Sequence, residues 1–251
     1  MIDAWLTALE QRHATNLTSA ELTRALRALS SCYVERRGRL GSGAAIDSAG
    51  KRAAFALFYG PLHCFTITEI VRALGACDRP LHTIVDLGCG TGVGGAAWAL
   101  ACAAQPRVQG IDRSAWAAGE ANWTYAHFDV RGTARTADIT KTALPASGDS
   151  AILLAYVVNE LETPARSTLL AKLVDAIRRG TRVLVVESIA RRDKPWWLEW
   201  SRVLEAEGAH GEEWRFDADV PASVRERARR AGLTLKALTA RTISAGFARA
   251  S

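Results

Sequence analysis

Between residues 82 and 95 the chain reads HTIVDLGCGTGVGG, with an acid at Asp86 and glycines at 88, 90, 92, 94 and 95. Main chain without side chains lets a ligand come within hydrogen-bond reach of the backbone amides. The apolar Thr83-Ile84-Val85 ahead of it reads as a short buried strand, and VGGAAWALACAA behind it as a helix. The first amides of a helix have no partner within it, so a turn from strand to helix offers donors to a polar ligand. A carboxylate at the strand end gives the same place an attraction for positive charge.

Two ligand classes use a strand, a glycine turn and a helix in this order. A dinucleotide takes GxGxxG, a spacing that Gly90, Gly92 and Gly95 satisfy. S-adenosylmethionine has no phosphate and brings a sulfonium and an α-amino group, both positive. An acid two residues before the first glycine suits that cation and does not suit a pyrophosphate, so Asp86 favours S-adenosylmethionine over a nicotinamide nucleotide. Asp112 ends the next strand, RVQGID, where a carboxylate can accept from both ribose hydroxyls of either ligand. It can equally cap the helix that follows.

The stretch VDLGCGTG at 85–92 resembles motif I of the class I S-adenosylmethionine-dependent methyltransferases, an acid followed by GxGxG. The order of strands over residues 80–251 is similar to that family's as well. The resemblance implies an α/β fold with a Rossmann-like, seven-stranded, mostly parallel sheet, and S-adenosyl-L-methionine as cofactor. The cofactor site it implies takes in Asp86, Gly88, Cys89, Gly90, Asp112 and Arg113. Trp116 can pack on the adenine or in the core. Asp138 and Ile139 resemble the family's adenine-contacting acid and its neighbour, and Tyr156 is a further candidate contact. A more diffuse similarity, over roughly residues 30–245, is to the small-ribosomal-subunit methyltransferase-like family, whose members are linked to ribosome assembly. It rests on YVERRG, GPLH, the glycine loop, YVVNEL, and VESIARR followed by tryptophans. That family carries a cysteine cluster in its C-terminal part, whereas no cysteine here lies beyond Cys102.

The fourth strand ends near Asn159-Glu160, the end that faces the methyl group in class I enzymes. Methyl transfer is an in-line displacement, so the protein contributes alignment and a place for the acceptor's proton. Asn159 can orient a nucleophile, and Glu160 can take a proton or start a helix. His63, in the unusual stretch Tyr59-Gly60-Pro61-Leu62-His63, is a candidate base with Tyr59 beside it. Tyr33, Arg36 and Arg37 are candidates for the cofactor's carboxylate. Trp196, Trp197 and Trp200, with Trp214 and His210 beyond, form either an aromatic wall for a flat or cationic acceptor or a packing face. The Asn-Pro-Pro-Tyr signature of amino-group methylating nucleic-acid enzymes is absent.

These groups need elements to hold them. Residues 1–80 read as helices: a capping box at Thr18–Glu21 opens ELTRALRALSSCYVE, SAGKRAAFALFY is expected to stop at Gly60-Pro61, and a second box at Thr66–Glu69 is expected to open another helix. This part is expected to be a helical lid (1–80) on a cofactor-binding domain (81–251). From residue 82 strands and helices alternate, as in a parallel sheet covered on both faces. The expected strands are HTIVDLG, RVQGIDRS, RGTARTADI, SAILLAYVVNEL and TRVLVVES, with VRERARRAGL as a helix and the C-terminal segment as a hairpin.

Composition narrows the rest. The 251 residues are 49% hydrophobic and 23% charged, a globular balance, and no apolar run is long enough for a membrane span. Five cysteines without a CxxC pair read as reduced thiols in a cytoplasmic protein, with no metal site. The net charge of +6 is compatible with a solvated surface or with RNA, contacted through arginines of 24–39 and 178–194, Arg191 and Arg192 included. Three functions follow: a methyltransferase for the N, O or C atom of a small, aromatic-type acceptor, a ribosomal RNA methyltransferase, or a non-enzymatic S-adenosylmethionine-binding assembly factor.

Overall fold

The computed structural model describes residues 1–35, 46–189 and 195–247. Tyr33, Arg36, Arg37, Arg191 and Arg192 fall outside the described side chains. The chain divides into two compact units. One comprises Met1–Phe65 and Asp217–Leu238, the other Thr66–Phe216 and Thr239–Ser251.

The first unit is helical. Helix α1 (Ile2–His13) buries Trp5, Leu6 and Leu9, and α2 (Ser19–Glu35) buries Leu26 and Leu29, the face that the leucine spacing predicts. The Thr18 box forms: the Glu21 amide donates to the Thr18 hydroxyl at 3.2 Å, and the Thr18 amide donates to Glu21 at 2.8 Å. In α9 (Ala222–Ala231), Arg227 pairs with Glu10 at 2.7 Å, and Arg27 donates to the terminal carbonyls of Arg230 and Ala231.

The expected stop at Gly60-Pro61 is corrected. After α3 (Ala49–Ala54), a π-turn over Phe55–Tyr59 leads directly into α4 (Gly60–Ala73). Proline has no N–H and its ring crowds the carbonyl four residues back. The wider turn accommodates it, with the Gly60 N–H donating to Phe55, five residues earlier. Thr66–Glu69 therefore lies inside α4 and opens nothing. The joined run Ala49–Ala73, with a mean hydropathy of 1.3, is long and apolar enough by composition to cross a membrane, contrary to expectation, yet it is largely buried within the protein. Gly75, which adopts φ 56°, lies just past its end.

In the second unit, seven strands form one sheet in the order β3-β2-β1-β4-β5-β7-β6. They are β1 (Thr83–Leu87), β2 (Arg107–Asp112), β3 (Gly132–Thr136), β4 (Ser150–Ala155), β5 (Arg182–Glu187), β6 (His210–Asp217) and β7 (Ala237–Ala245). The first five are parallel and β7 runs antiparallel to β5. The strand order reverses between β1 and β4, which opens a crevice beyond their carboxyl ends, the place where open α/β sheets take ligands. Helices α5 (Val93–Ala101), α6 (Ala115–His127), α7 (Thr163–Arg178) and α8 (Pro195–Glu205) complete the unit. Leu169, Leu173, Trp200 and Leu204 from α7 and α8 close a core over Ile152, Leu154, Val183 and Val185.

Three further expectations are corrected. β4 ends at Ala155 because Tyr156 turns to φ 61°, and a 3-10 turn over Val158–Glu160 follows. The C-terminal hairpin is a single strand, β7, whose edge neighbour β6 is the polar HGEEWRFD. Cys77 and Cys102 are bridged, not reduced, while Cys64 and Cys89 are free and buried. The bridge closes a 25-residue loop holding β1 and the glycine turn. Chain-entropy arguments give such a closure about 3–4 kcal/mol. Reduction by a dithiol is expected to lower the thermal midpoint by roughly 6–12 °C, and a calorimetric scan showing no change would remove the bridge from the stability of this unit.

Candidate cofactor and acceptor site

The glycine turn is held from below by its acid. Asp86, 1% exposed at the end of β1, accepts the Gly95 N–H at 2.9 Å, which ties the strand to the first turn of α5. Gly88, Gly90 and Gly92 have φ of 72°, 52° and 77°, a region open chiefly to glycine. Space is short as well. A Cβ on Gly88 would overlap the Val157 side chain, and one on Gly92 would lie 2.8 Å from Ala121. The glycine turn and the turn after β4 thus abut at Gly88 and Val157.

Asp112 is engaged from two sides. One oxygen accepts Gly90 N–H at 3.0 Å and the other accepts Ser114 N–H at 2.8 Å. A carboxylate has about four acceptor positions, so capacity remains for a ribose hydroxyl. Capping therefore does not preclude ligand binding by this residue. Cys89 is buried, and burial raises its thiol well above the usual range. The Thr91 hydroxyl is buried in the turn with no hydrogen-bond partner among the described residues, an orphan that a bound polar ligand would satisfy. Bare amides, two carboxylates and an orphan hydroxyl fit a cationic amino-acid nucleoside.

Burial pushes the Asp86 carboxyl up to about 7, with the Gly95 amide opposing and Asp112 adding to the rise. Glu160 is likewise raised to about 7 by burial, lowered in part by Arg113 and raised further by Asp112 and Glu187. Both acids are protonated more readily folded than unfolded. Their contribution to stability is present at low pH and is lost as pH rises through about 7. A positive ligand reverses the preference, because it favours the anions. Affinity for S-adenosylmethionine is expected to rise about tenfold between pH 6 and pH 8, with a smaller change for the neutral S-adenosylhomocysteine. Equal pH dependence of the two in calorimetry would contradict this.

On the acceptor side the structure brings Tyr156, Asn159 and Glu160 together at the end of β4, with Arg113 at 3.5 Å from Glu160. The Asn159 amide nitrogen donates to Glu187, and its oxygen accepts the Trp196 indole N–H at 3.1 Å. Burial and the Glu187 charge raise the Tyr156 phenol. Glu187 is not among the candidates drawn from the sequence; it ends the apolar TRVLVVE as Asp86 and Asp112 end their strands, a signal the sequence does carry.

The segment that carries the candidates Asp138 and Ile139 is joined to β2 by the Ala137 N–H, which donates to the Asp112 carbonyl at 2.9 Å. Asp138 is exposed and accepts from the amide and hydroxyl of Thr140, which hold it below the usual carboxylate range, while Ile139 is in the core. Trp116 is partly buried on α6. Trp196, Trp197 and Trp200 pack edge-to-face with ring centres 5.6 Å apart and join the core, with the Arg241 guanidinium 4.0 Å above Trp197. Trp214 lies on β6, donating to the Thr242 hydroxyl at 2.9 Å and stacked on Phe216, and His210 begins the same strand. Tyr59 and His63 belong to the helical unit, where both pack against Phe55. Burial pushes His63 down to about 3, which makes it a weak proton acceptor at neutral pH.

Residues 84–180 match a family model described as a methyltransferase domain. No curated protein matches the sequence. Among solved structures, the chain is similar to the mitomycin 7-O-methyltransferase MmcR, at 16% identity and a TM-score of 0.53 over 91% of this chain and 67% of that one. It is also similar to a Nostoc punctiforme protein assigned as an O-methyltransferase, at 12% identity and a TM-score of 0.54 over 88% of this chain and 72% of the other. A SAM-dependent methyltransferase from Aquifex aeolicus aligns with 73% of this chain and 90% of its own, at 16% identity and a TM-score of 0.48. At these identities the likeness to the solved structures is one of fold.

Proposed function

We propose that this chain, whose residues 84–180 match a methyltransferase-domain family model, is a class I S-adenosylmethionine-dependent methyltransferase that transfers the methyl group to a nucleophilic N, O or C atom of a small acceptor seated at the carboxyl ends of β4 and β5. The observation that carries the reading is the abutment of the glycine turn on the turn after β4, at Gly88 and Val157, with Glu160 and Glu187 beside it. Bound there, the cofactor supplies an electrophilic methyl on a sulfonium. The chain's own part is to align the acceptor and to receive its proton. Glu160, titrating near neutrality, suits that exchange, since proton transfer is most effective when donor and acceptor strengths match the working pH. The buried Glu187 carboxyl favours an enclosed seat over an open groove, and the similar mitomycin enzyme acts on a small molecule by its name.

A second reading has one observation in its favour. The helical unit holds thirteen basic and eight acidic residues, so it accounts for +5 of the chain's net +6. It also carries a groove of about 580 Å³ lined by Ser19, Ala20, Thr23, Arg24, Arg27 and Arg230. An RNA acceptor would be held through phosphates at such a surface.

Methyl-labelled cofactor offered to phenols, amines and RNA fragments separates the two. The small-acceptor reading expects label in a small molecule, with Glu160→Gln lowering kcat about 10²-fold and cofactor affinity severalfold or less. Label in RNA alone, lost steeply between low and moderate salt, would replace it by the second reading.

A further inference from the structure

The contacts around Asn159 assign it a role different from orienting the acceptor. An indole N–H is a donor only, so the Trp196 bond at 3.1 Å fixes the Asn159 oxygen toward Trp196. The amide NH2 then points the other way, and it meets the Glu187 carboxylate. Each partner comes from a different element: Trp196 from α8, Asn159 from the 3-10 turn after β4, Glu187 from the last position of β5.

Glu187 lies close to the reaction point. The Tyr156 N–H donates to Val186 at 2.8 Å, so the turn after β4 runs alongside the end of β5. The next residue of the turn, Val157, presses on Gly88 in the cofactor loop. The Glu187 charge bears on both Tyr156 and Glu160, and Glu160 in turn lies 3.5 Å from Arg113, which follows Asp112. Among the described residues, Asp112, Arg113, Glu160 and Glu187 bring charge to this end, from β2, the turn after it, the turn after β4 and β5, and Arg241 of β7 stands opposite Glu187 in the sheet register.

We propose that Asn159 is a positioning residue: clamped by the Trp196 indole, it holds the Glu187 carboxylate toward the place where the positive charge of the cofactor meets the acceptor. Glu187 then serves as a fixed counter-charge, and Glu160 is left as the group that exchanges a proton. Two carboxylates at one site with separate duties follow a common pattern of acid–base sites. The inference rests on the cofactor reading of the glycine turn.

The test uses the whole protein and two cofactor analogues of nearly equal size. S-adenosylhomocysteine is neutral at the sulfur. Sinefungin carries an amine-bearing carbon in place of the methyl-sulfonium, and so puts a protonated amine where the methyl sits. The ratio of their affinities, measured by calorimetry, reads the counter-charge independently of turnover. Glu187→Gln is expected to cut the preference for sinefungin about tenfold or more with S-adenosylhomocysteine affinity nearly unchanged. Asn159→Ala is expected to cut it about threefold, and Trp196→Phe, which frees the amide to rotate, by a similar factor. A thermal scan of each variant accompanies the titrations. If Glu187→Gln does not fold, the other two variants carry the test. An unchanged ratio in folded variants, or equal loss of both analogues, would reduce Asn159 and Glu187 to packing groups and overturn the proposal. Failure of the unaltered protein to bind either analogue would instead overturn the cofactor reading beneath it.

Discussion

Replacing Asp86 by asparagine is expected to weaken S-adenosylmethionine binding about 30-fold while the protein stays folded. Asparagine has the same shape, and its oxygen can still accept the Gly95 N–H that Asp86 accepts at 2.9 Å. What disappears is a negative charge buried next to the cofactor turn. Opposite charges a few ångströms apart near a protein surface interact by about 4 kcal/mol, and half of that is close to 30-fold in affinity. The loss should be severalfold at most for S-adenosylhomocysteine, which lacks the sulfonium. Alanine would be a poorer choice, because it would orphan the Gly95 amide and leave a void at a position only 1% exposed. Titration calorimetry giving equal affinities for the unaltered protein and the Asp86→Asn variant would reduce the carboxylate to a helix-loop tie.

The second large effect is expected at Gly92. This residue starts α5 with φ 77°, and a Cβ there would lie 2.8 Å from Ala121 and 2.9 Å from Tyr125. Alanine must bear the left-handed backbone, at about 1–2 kcal/mol, and the overlap with backbone and a buried ring, at about 1–3 kcal/mol. Gly92→Ala should therefore lower stability by about 3 kcal/mol and the thermal midpoint by roughly 6–12 °C. Alternatively the turn shifts to relieve the clash, and cofactor binding is lost instead. Gly119, with nothing within 4 Å of its Cβ position, is the control: alanine there should be neutral or slightly stabilising. Normal stability and normal cofactor affinity together in Gly92→Ala would show that the turn tolerates a side chain and that its close approach is not needed.

The parts of this architecture that depend on local pattern were legible in the sequence. The apolar strands that end in Asp86 and Asp112 lie where periodicity placed them, and the Thr18 box closes as its spacing predicts. Features decided by tertiary context were not. Proline at 61 normally ends a helix, but a π-turn within a buried run carries the chain past it. The polar HGEEWRFD draws no strand assignment from the sequence, yet it is an edge strand, where one face meets solvent. Tyr156 reads as strand by composition, yet it adopts φ 61°, and that single bend brings Asn159 and Glu160 to the end of the sheet. Strain of this kind concentrates at functional sites and has no signature in residue type.

The candidate site was legible to a similar degree. The acid-and-glycine pattern led to Asp86, Gly88, Gly90 and Asp112, which the fold gathers around one turn. Glu187 needed only the extension of the same pattern to a third strand. The pairing of Asn159 with Trp196 and Glu187 joins residues 28 and 37 positions apart, and nothing in their spacing foretells it. The bridge between Cys77 and Cys102 was likewise hidden, since both cysteines lie near helix ends that only the folded sheet brings together.

The central claim is that a buried carboxylate and a bare glycine turn receive a sulfonium cation. Titration of the purified protein with S-adenosylmethionine and, separately, with NAD tests it most directly. Saturable heat with S-adenosylmethionine, weaker by about 30-fold in Asp86→Asn, and none with NAD is the expected result. Binding of NAD with indifference to S-adenosylmethionine would contradict it.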